Sequence, residues 1–224
     1  PLRGVDLFSI VAYGARVSLG IGVTSSLISL VIGVVLGLIA GYYPGVLDSV
    51  ISRAMDVFFG FPFLIFAIAL SVVVPETFPR PVLLTLVLGF FGWPGIARLV
   101  RGQTLSLSKR NYAVASRVMG ASPLHVLWYQ VLPNLLPLLI VNTTLSVPGR
   151  IGAEAGLSFL GVGMNPPTPS WGRSISDAVQ WALVDPMYLI FPGGALFLLT
   201  FGFNLLGDGL NDFIDPRGES HENA

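Results

Sequence analysis

VSLGIGVTSSLISLVIGVVLGLIAGYYPGVL, residues 17–47, contains no charged side chain. A helix rises about 1.5 Å per residue, so roughly 20 predominantly apolar residues cross the hydrocarbon core of a bilayer. This run is longer, and it carries no polar face at helical period that could turn toward water. Residues 57–75, 81–97, 118–149 and 186–207 likewise lack Asp, Glu, Lys and Arg, with His125 the one interruption in the third of these. Of the 224 residues, 53% are hydrophobic and 11% charged. A soluble domain carries about 25% charged residues, so this composition leaves too little polar surface to face water. The sequence predicts an all-α, polytopic membrane protein with about five spanning helices in one transmembrane domain, 1–224.

The first span is expected over 17–42, with Gly33, Gly37 and Gly41 at four-residue spacing and Ser25 and Ser29 on a related stripe. Small residues so spaced let helix backbones approach closely in lipid, where burying apolar area no longer drives association. Tyr43-Pro44-Gly45 is a turn signal. The second span is expected over 48–74 with a kink at Pro62, and the third over 82–100, interrupted at Trp93-Pro94-Gly95. A fourth begins near Asn134 and is expected to be irregular at Pro137, Pro148 and Gly149. A Pro-rich loop over 164–172 leads to a partly amphipathic stretch, 174–183. The last span covers 187–206, and 207–224 forms a polar tail, expected to fray beyond Arg217.

Arg98, Arg101, Lys109, Arg110 and Arg117 concentrate five of the twelve basic residues within twenty positions. Positively charged loops stay on the cytoplasmic side. Residues 103–133 are therefore expected in the cytoplasm, together with Tyr43-Pro44-Gly45 and the C-terminal tail. The N-terminus, 75–81 and 163–185 are then expected outside. Arg53 and Arg217 agree with this; Arg3, Arg16, Arg80 and Arg173 fall on the other side.

That central loop has structure of its own. Tyr112, Ala115, Val118 and Met119 can line one face of a short helix. Gly120 supplies its stop, because glycine accepts the left-handed conformation that closes a helix. Ser122 offers an N-cap oxygen, and Pro123 suits the first helical position, where its missing N–H costs nothing. Leu124, Leu127, Trp128 and Val131 follow at i, i+3, i+4 and i+7, one apolar stripe, and Pro133 is expected to end the motif. Two readings follow from the pattern: a helix pair lying on lipid headgroups, or a docking surface for a soluble partner.

The run Tyr112-Ala-Val-Ala-Ser116-Arg117-Val-Met-Gly120-Ala121-Ser122, continuing to Val131-Leu132-Pro133-Asn134, resembles the coupling-loop signature of ABC importer permeases. Where that signature usually has an acidic residue, this chain has Val114. Tyr13-Gly14-Ala15-Arg16-Val17-Ser18-Leu19, Trp93-Pro94-Gly95, Pro166-Pro167-Thr168-Pro169-Ser170-Trp171-Gly172 and Gly207-Asp208-Gly209-Leu210 with Asp215-Pro216-Arg217 resemble the second permease subunit of the dipeptide/oligopeptide/nickel group. The likeness implies a type I importer fold in a bacterial or archaeal cell membrane. It implies a homologous permease as partner, an extracytoplasmic solute-binding protein, and two cytoplasmic ATPase subunits that hold ATP and Mg and receive the loop. Permeases of the group carry one more spanning helix ahead of the first one here. That, and a start at Pro1 without Met, lead to the expectation that the chain is a fragment.

Other functions are poorly served. The one lysine, Lys109, follows Ser108, so the phosphate-binding motif G-x-x-x-x-G-K-[ST] is absent. Net charge is zero, which removes the electrostatic case for nucleic acid. There is no cysteine, and His125 and His221 make no metal pair. Asp208, Asp212 and Asp215 beside Arg217 are expected to be a solvated helix end. Glu154, with Arg150 one turn earlier, is the one candidate for ion coupling; pairing within an irregular helix is the preferred reading. For pore lining the candidates are Asn142, Thr144, Ser146 and Glu154, because irregular backbone in a membrane is tolerated where it borders a cavity. The Asn142-Thr143-Thr144 glycosylation pattern falls inside a span and reads as polar packing. The substrate does not follow from the residues: dipeptides, longer peptides and nickel complexes are all served by similar permeases.

Overall fold

A computed structural model describes residues 6–214. Among these, every regular element is helical: α1 Leu7–Tyr42, α2 Val46–Gly60, α3 Phe63–Val73, α4 Arg80–Leu107, α5 Asn111–Val118, α6 Pro123–His125, a π-helical turn Val126–Val131, α7 Leu132–Phe159, α8 Trp171–Val179 and α9 Met187–Ile214. Four helical stretches are long and apolar enough to cross a membrane: 7–42, 80–107, 123–159 and 187–213. Counting the pair α2 and α3 as one broken span gives five.

Several expected boundaries move. The first span starts ten residues earlier, at Leu7, where Asp6 accepts the Ser9 backbone N–H at 3.0 Å and caps the helix. Pro62 breaks the second span outright, since Phe61 turns to extended backbone ahead of it. The third and fourth spans, in contrast, are not interrupted. The α4 helix runs through Pro94, and α7 runs through Pro137, Pro148 and Gly149. Proline is tolerated in membrane helices because neighbouring groups re-satisfy the carbonyl it frees. Polar residues 207–214 continue α9 instead of starting a tail. Arg3 and Asp215-Pro216-Arg217 lie outside the described residues.

The chain divides into two compact units. The first takes residues 6–26, 62–89 and 144–207. Its core joins Val147, Ile151 and Trp171 with Val11, Ala15 and Leu19 of α1 and Leu196, Leu199 and Phe203 of α9. A methyl group at Gly22 would lie 2.5 Å from Ile151 Cγ1, so the absence of a side chain there sets the α1–α7 spacing.

The second unit takes residues 27–61, 90–143 and 208–214. Here Gly33, Gly37 and Gly41 line α1 against α4. A methyl at Gly33 would sit 2.7 Å from Ile96 Cβ, at Gly37 2.7 Å from the Ala97 carbonyl oxygen, and at Gly41 2.6 Å from Thr104 Cβ. The stripe is matched turn for turn by α4, backbone close to backbone. On the other side of α4, Arg101 holds Asp48 of α2 through two hydrogen bonds, and Arg98 reaches Asp56 at 2.8 Å while lying over the Phe59 ring. Met55, Trp93 and Ala97 form a buried cluster against which Ile32 and Leu36 of α1 also pack, with Phe58 edge-on to Trp93.

Candidate functional site

The segment 108–132 folds as a hairpin of short helices on the second unit. Helix α5 closes at Gly120, whose φ of 88° lies in the left-handed region. The Gly120 N–H donates to the Arg117 carbonyl and the Ala121 N–H to the Ser116 carbonyl, the paired bonds of a Schellman stop. Ser122 Oγ then accepts the His125 backbone N–H at 3.3 Å, with Pro123 in the first helical position. Arg117 steadies the turn by donating from Nη2 to the Ser108 carbonyl at 2.7 Å. The His125 and Tyr129 rings lie in tilted contact, 4.7 Å between centres and 34° between planes.

Which residues face inward differs from the stripes read in the sequence. In α5 the inward side is Ala113 and Ser116; Tyr112, Ala115, Val118 and Met119 are exposed. In the second arm Leu127 and Val131 are buried with Val126, while Leu124 and Trp128 are 75% and 61% exposed. The cause is the π-turn. Its wider i→i+5 bonding carries Val126 inward beside Leu127 and turns Trp128 away. Proline 133 does not end the motif. It stands at the second position of α7, and having no N–H it cannot continue the ordinary ladder, which fits a wide turn just before it.

The inner face is locked into the chain's own helices. Ala113, Val126, Leu127, Val131, Leu135 and Leu139 form one buried cluster with Leu38 of α1 and Ile96 and Val100 of α4, and Ala121 packs against it. What remains outside is an apolar cluster, Val118, Met119, Leu124, Trp128 and Tyr129, beside Lys109, Arg110 and Arg117, all exposed.

The pore-lining candidates separate. Asn142, Thr144 and Ser146 are half-buried on α7, and Ser146 Oγ lies 3.1 Å from Ser26 Oγ of α1. Glu154 is fully buried inside the first unit. Its carboxylate accepts Ser18 Oγ at 3.1 Å and Ser158 Oγ at 2.8 Å. Arg150 directs Nη1 to the Leu88 carbonyl of α4. Sequence reasoning missed the two serines. Ser158 was signalled by its i+4 spacing from Glu154, Ser18 only as a small hydroxyl residue inside an apolar run, which finds a partner across helices.

Residues 33–219 match the family described as binding-protein-dependent transport system inner membrane component. The oligopeptide transport system permease protein OppC of Escherichia coli is 43% identical over 215 residues, covering 96% of this chain and 70% of that protein. The glutathione transport system permease protein GsiD of Pectobacterium atrosepticum is 40% identical over 217 residues, covering 97% and 71%. Among solved structures, the MetNI methionine ABC transporter in an inward-facing conformation superposes with a TM-score of 0.73 at 22% identity, over 92% of this chain and 96% of that one. An amino acid ABC transporter solved with histidines gives 0.67 at 15% identity, over 93% and 99%.

Proposed function

The chain belongs to the family of binding-protein-dependent transport system inner membrane components, an ABC importer permease of the type I fold, and on that premise we propose how it works. It supplies half of a translocation pathway for peptides, the other half coming from a homologous permease, in a bacterial inner membrane. The peptide reading is supported by the oligopeptide and glutathione permeases it resembles at 43% and 40% identity. A solute-binding protein delivers substrate on the outer side. Two ATPase subunits, carrying ATP and Mg, dock on the cytoplasmic side and drive the cycle. The chain's single lysine lies outside any phosphate-binding motif, which makes ATP hydrolysis the partners' task.

One observation carries the coupling role: the outward cluster of Val118, Met119, Leu124, Trp128 and Tyr129 on a hairpin whose inner face is buried. A helix-in-groove contact needs such anchors on a backbone that does not yield. A hairpin resting on lipid alone would not need its inner face locked to α1 and α4. Because the seat is fixed, closure of the ATPases pushes on the ends of those helices. Val114, 39% exposed where the family signature usually has an acid, leaves apolar and basic contacts to carry the docking.

The test is uptake of a labelled dipeptide or oligopeptide by the reconstituted importer. Uptake should require ATP on the side of the basic loop and collapse when Gly120 is replaced by a bulky residue. Flux that follows a proton gradient and ignores Gly120 would overturn the reading.

A further inference from the structure

Two stretches far apart in sequence, residues 13–19 and 166–172, meet at one buried carboxylate in the first unit. Glu154 has no exposed surface. One carboxylate oxygen, Oε2, accepts the Ser18 hydroxyl at 3.1 Å, and the other, Oε1, accepts the Ser158 hydroxyl at 2.8 Å. Each serine oxygen in turn accepts a backbone N–H from the segment that follows α7. Met164 N–H donates to Ser158 Oγ at 3.2 Å, and Trp171 N–H donates to Ser18 Oγ at 3.2 Å. The two relays run from the two oxygens of one side chain to the two ends of the segment 164–171.

The surroundings leave no slack. Gly161, with φ of 78°, closes α7 through paired bonds from Gly161 N–H to Ser158 O and from Val162 N–H to Leu157 O. Methyl groups at Gly163 and Gly172 would lie within 2.4 Å of Ser158 Cα and 2.3 Å of Ala155 Cα, and one at Gly14 would press on the Trp171 ring. Trp171 Nε1 donates to the Val11 carbonyl at 2.8 Å, and Ser170 Oγ caps α8 by accepting the Arg173 N–H at 3.2 Å.

We propose that Glu154 is a positioning residue whose two oxygens fasten both ends of segment 164–171 to α1 and α7, so that this segment moves with them as one body during transport. The chemistry favours an acceptor-only group at the centre. In its ionised form Glu154 only accepts, so both hydroxyls point their hydrogens inward and keep their lone pairs for the backbone N–H groups. An amide of the same shape would turn one serine from donor to acceptor, so that its oxygen receives two N–H groups and its hydroxyl hydrogen loses its partner. Packing alone does not account for the residue, because a buried ionisable group in a membrane helix is costly where an apolar side chain would fill the space.

This inference rests on the transport reading for its consequence, but not for its geometry, and the test separates the two. The 224 residues hold no cysteine, so an introduced one reports its own position. Met164→Cys and Ser174→Cys, at sites 2% and 5% exposed, report the two ends in the assembled importer in membranes, read by a membrane-impermeant maleimide. Adding Glu154→Gln should raise the labelling rate at one end or both by on the order of tenfold, the factor that losing a hydrogen bond to a charged group gives a local opening. Peptide uptake should fall with it. Ser158→Ala should open the Met164 end alone, and Ser18→Ala the Ser174 end alone but by less, because Ser170 also hydrogen-bonds Glu154; the two variants keep the test decisive if Glu154→Gln fails to assemble. Labelling unchanged in Glu154→Gln, or both ends opening equally in each serine variant, would overturn the proposal while leaving ATP-driven uptake untouched. Ends that open as expected in a protein whose uptake ignores ATP would support the relay and overturn the transport reading instead.

Discussion

Arg101 grips Asp48 with a two-pronged contact, Nε to Oδ1 at 2.5 Å and Nη2 to Oδ2 at 2.9 Å, joining α4 to the first turn of α2. Both side chains are largely covered, at 31% and 18% exposure, whereas the neighbouring pair Arg98 and Asp56 is more than half exposed. Asp48→Asn should therefore destabilise the detergent-solubilised protein by about 1–2 kcal/mol. Asp56→Asn should cost less than about 1 kcal/mol. Thermal unfolding compares them, and equal losses would contradict the difference in burial.

The α1–α4 contact makes a second comparison. At Gly37 a methyl group would meet the Ala97 carbonyl at 2.7 Å, while at Gly20 nothing lies within 4 Å. Gly37→Ala should destabilise by about 1–3 kcal/mol, as overpacking does. Gly20→Ala should be neutral or stabilise by up to about 1 kcal/mol, because alanine is the better helix former. Melting curves of the two variants should shift in opposite directions or differ clearly in size.

At Gly120 the added atoms would meet nothing, so any penalty is one of backbone conformation. Gly120→Ala should cost about 1–2 kcal/mol, and Gly120→Asn less, since asparagine visits the left-handed region more readily. If coupling depends on the angle of this turn, ATP-driven uptake should rank glycine above asparagine above alanine above valine. Uptake that instead follows side-chain volume alone would point to a clash with the partner.

The hairpin's two faces should respond differently to truncation. Leu127→Ala and Val131→Ala empty a buried cluster and should destabilise the chain itself, Leu127→Ala by about 2–5 kcal/mol. Trp128→Ala and Met119→Ala remove exposed side chains and should leave the melting temperature nearly unchanged. The latter pair should weaken capture of the ATPase subunits by tenfold or more if they are anchors, measured by co-purification at graded ATPase concentration.

Much of this architecture was legible from residue type alone. Uncharged runs announce spans because lipid offers charges no solvation, and Gly33, Gly37 and Gly41 announce a close contact because nothing else explains their spacing. Gly120, Ser122 and Pro123 act through local backbone chemistry, so their geometry was readable without a neighbour in view. The misreadings share a different cause. Pro94, Pro137 and Pro148 look like breaks, yet each sits inside a continuous helix held by its packing, while the break at Phe61-Pro62 was read only as a kink. Leu124 and Trp128 fit an apolar stripe only if the helix is regular. The π-turn that follows Leu124 and contains Trp128 leaves no mark in periodicity. Of the partners of Glu154, Ser18 is 136 residues away in the chain and could not be read from it, whereas Ser158 lies at i+4 on the same helix.

That wide turn also bears on how the loop can change length. A single residue lost from an ordinary helix rotates everything before it by about 100° relative to everything after. A π-turn is a helix holding one residue too many, so a deletion within 126–131 can relax it to the common pitch with the two ends still in phase. Between α6 and α7, then, this protein carries a site where a one-residue deletion is absorbed locally. The same event a few positions later, in 134–143, would swing the exposed face of the hairpin away from whatever it meets.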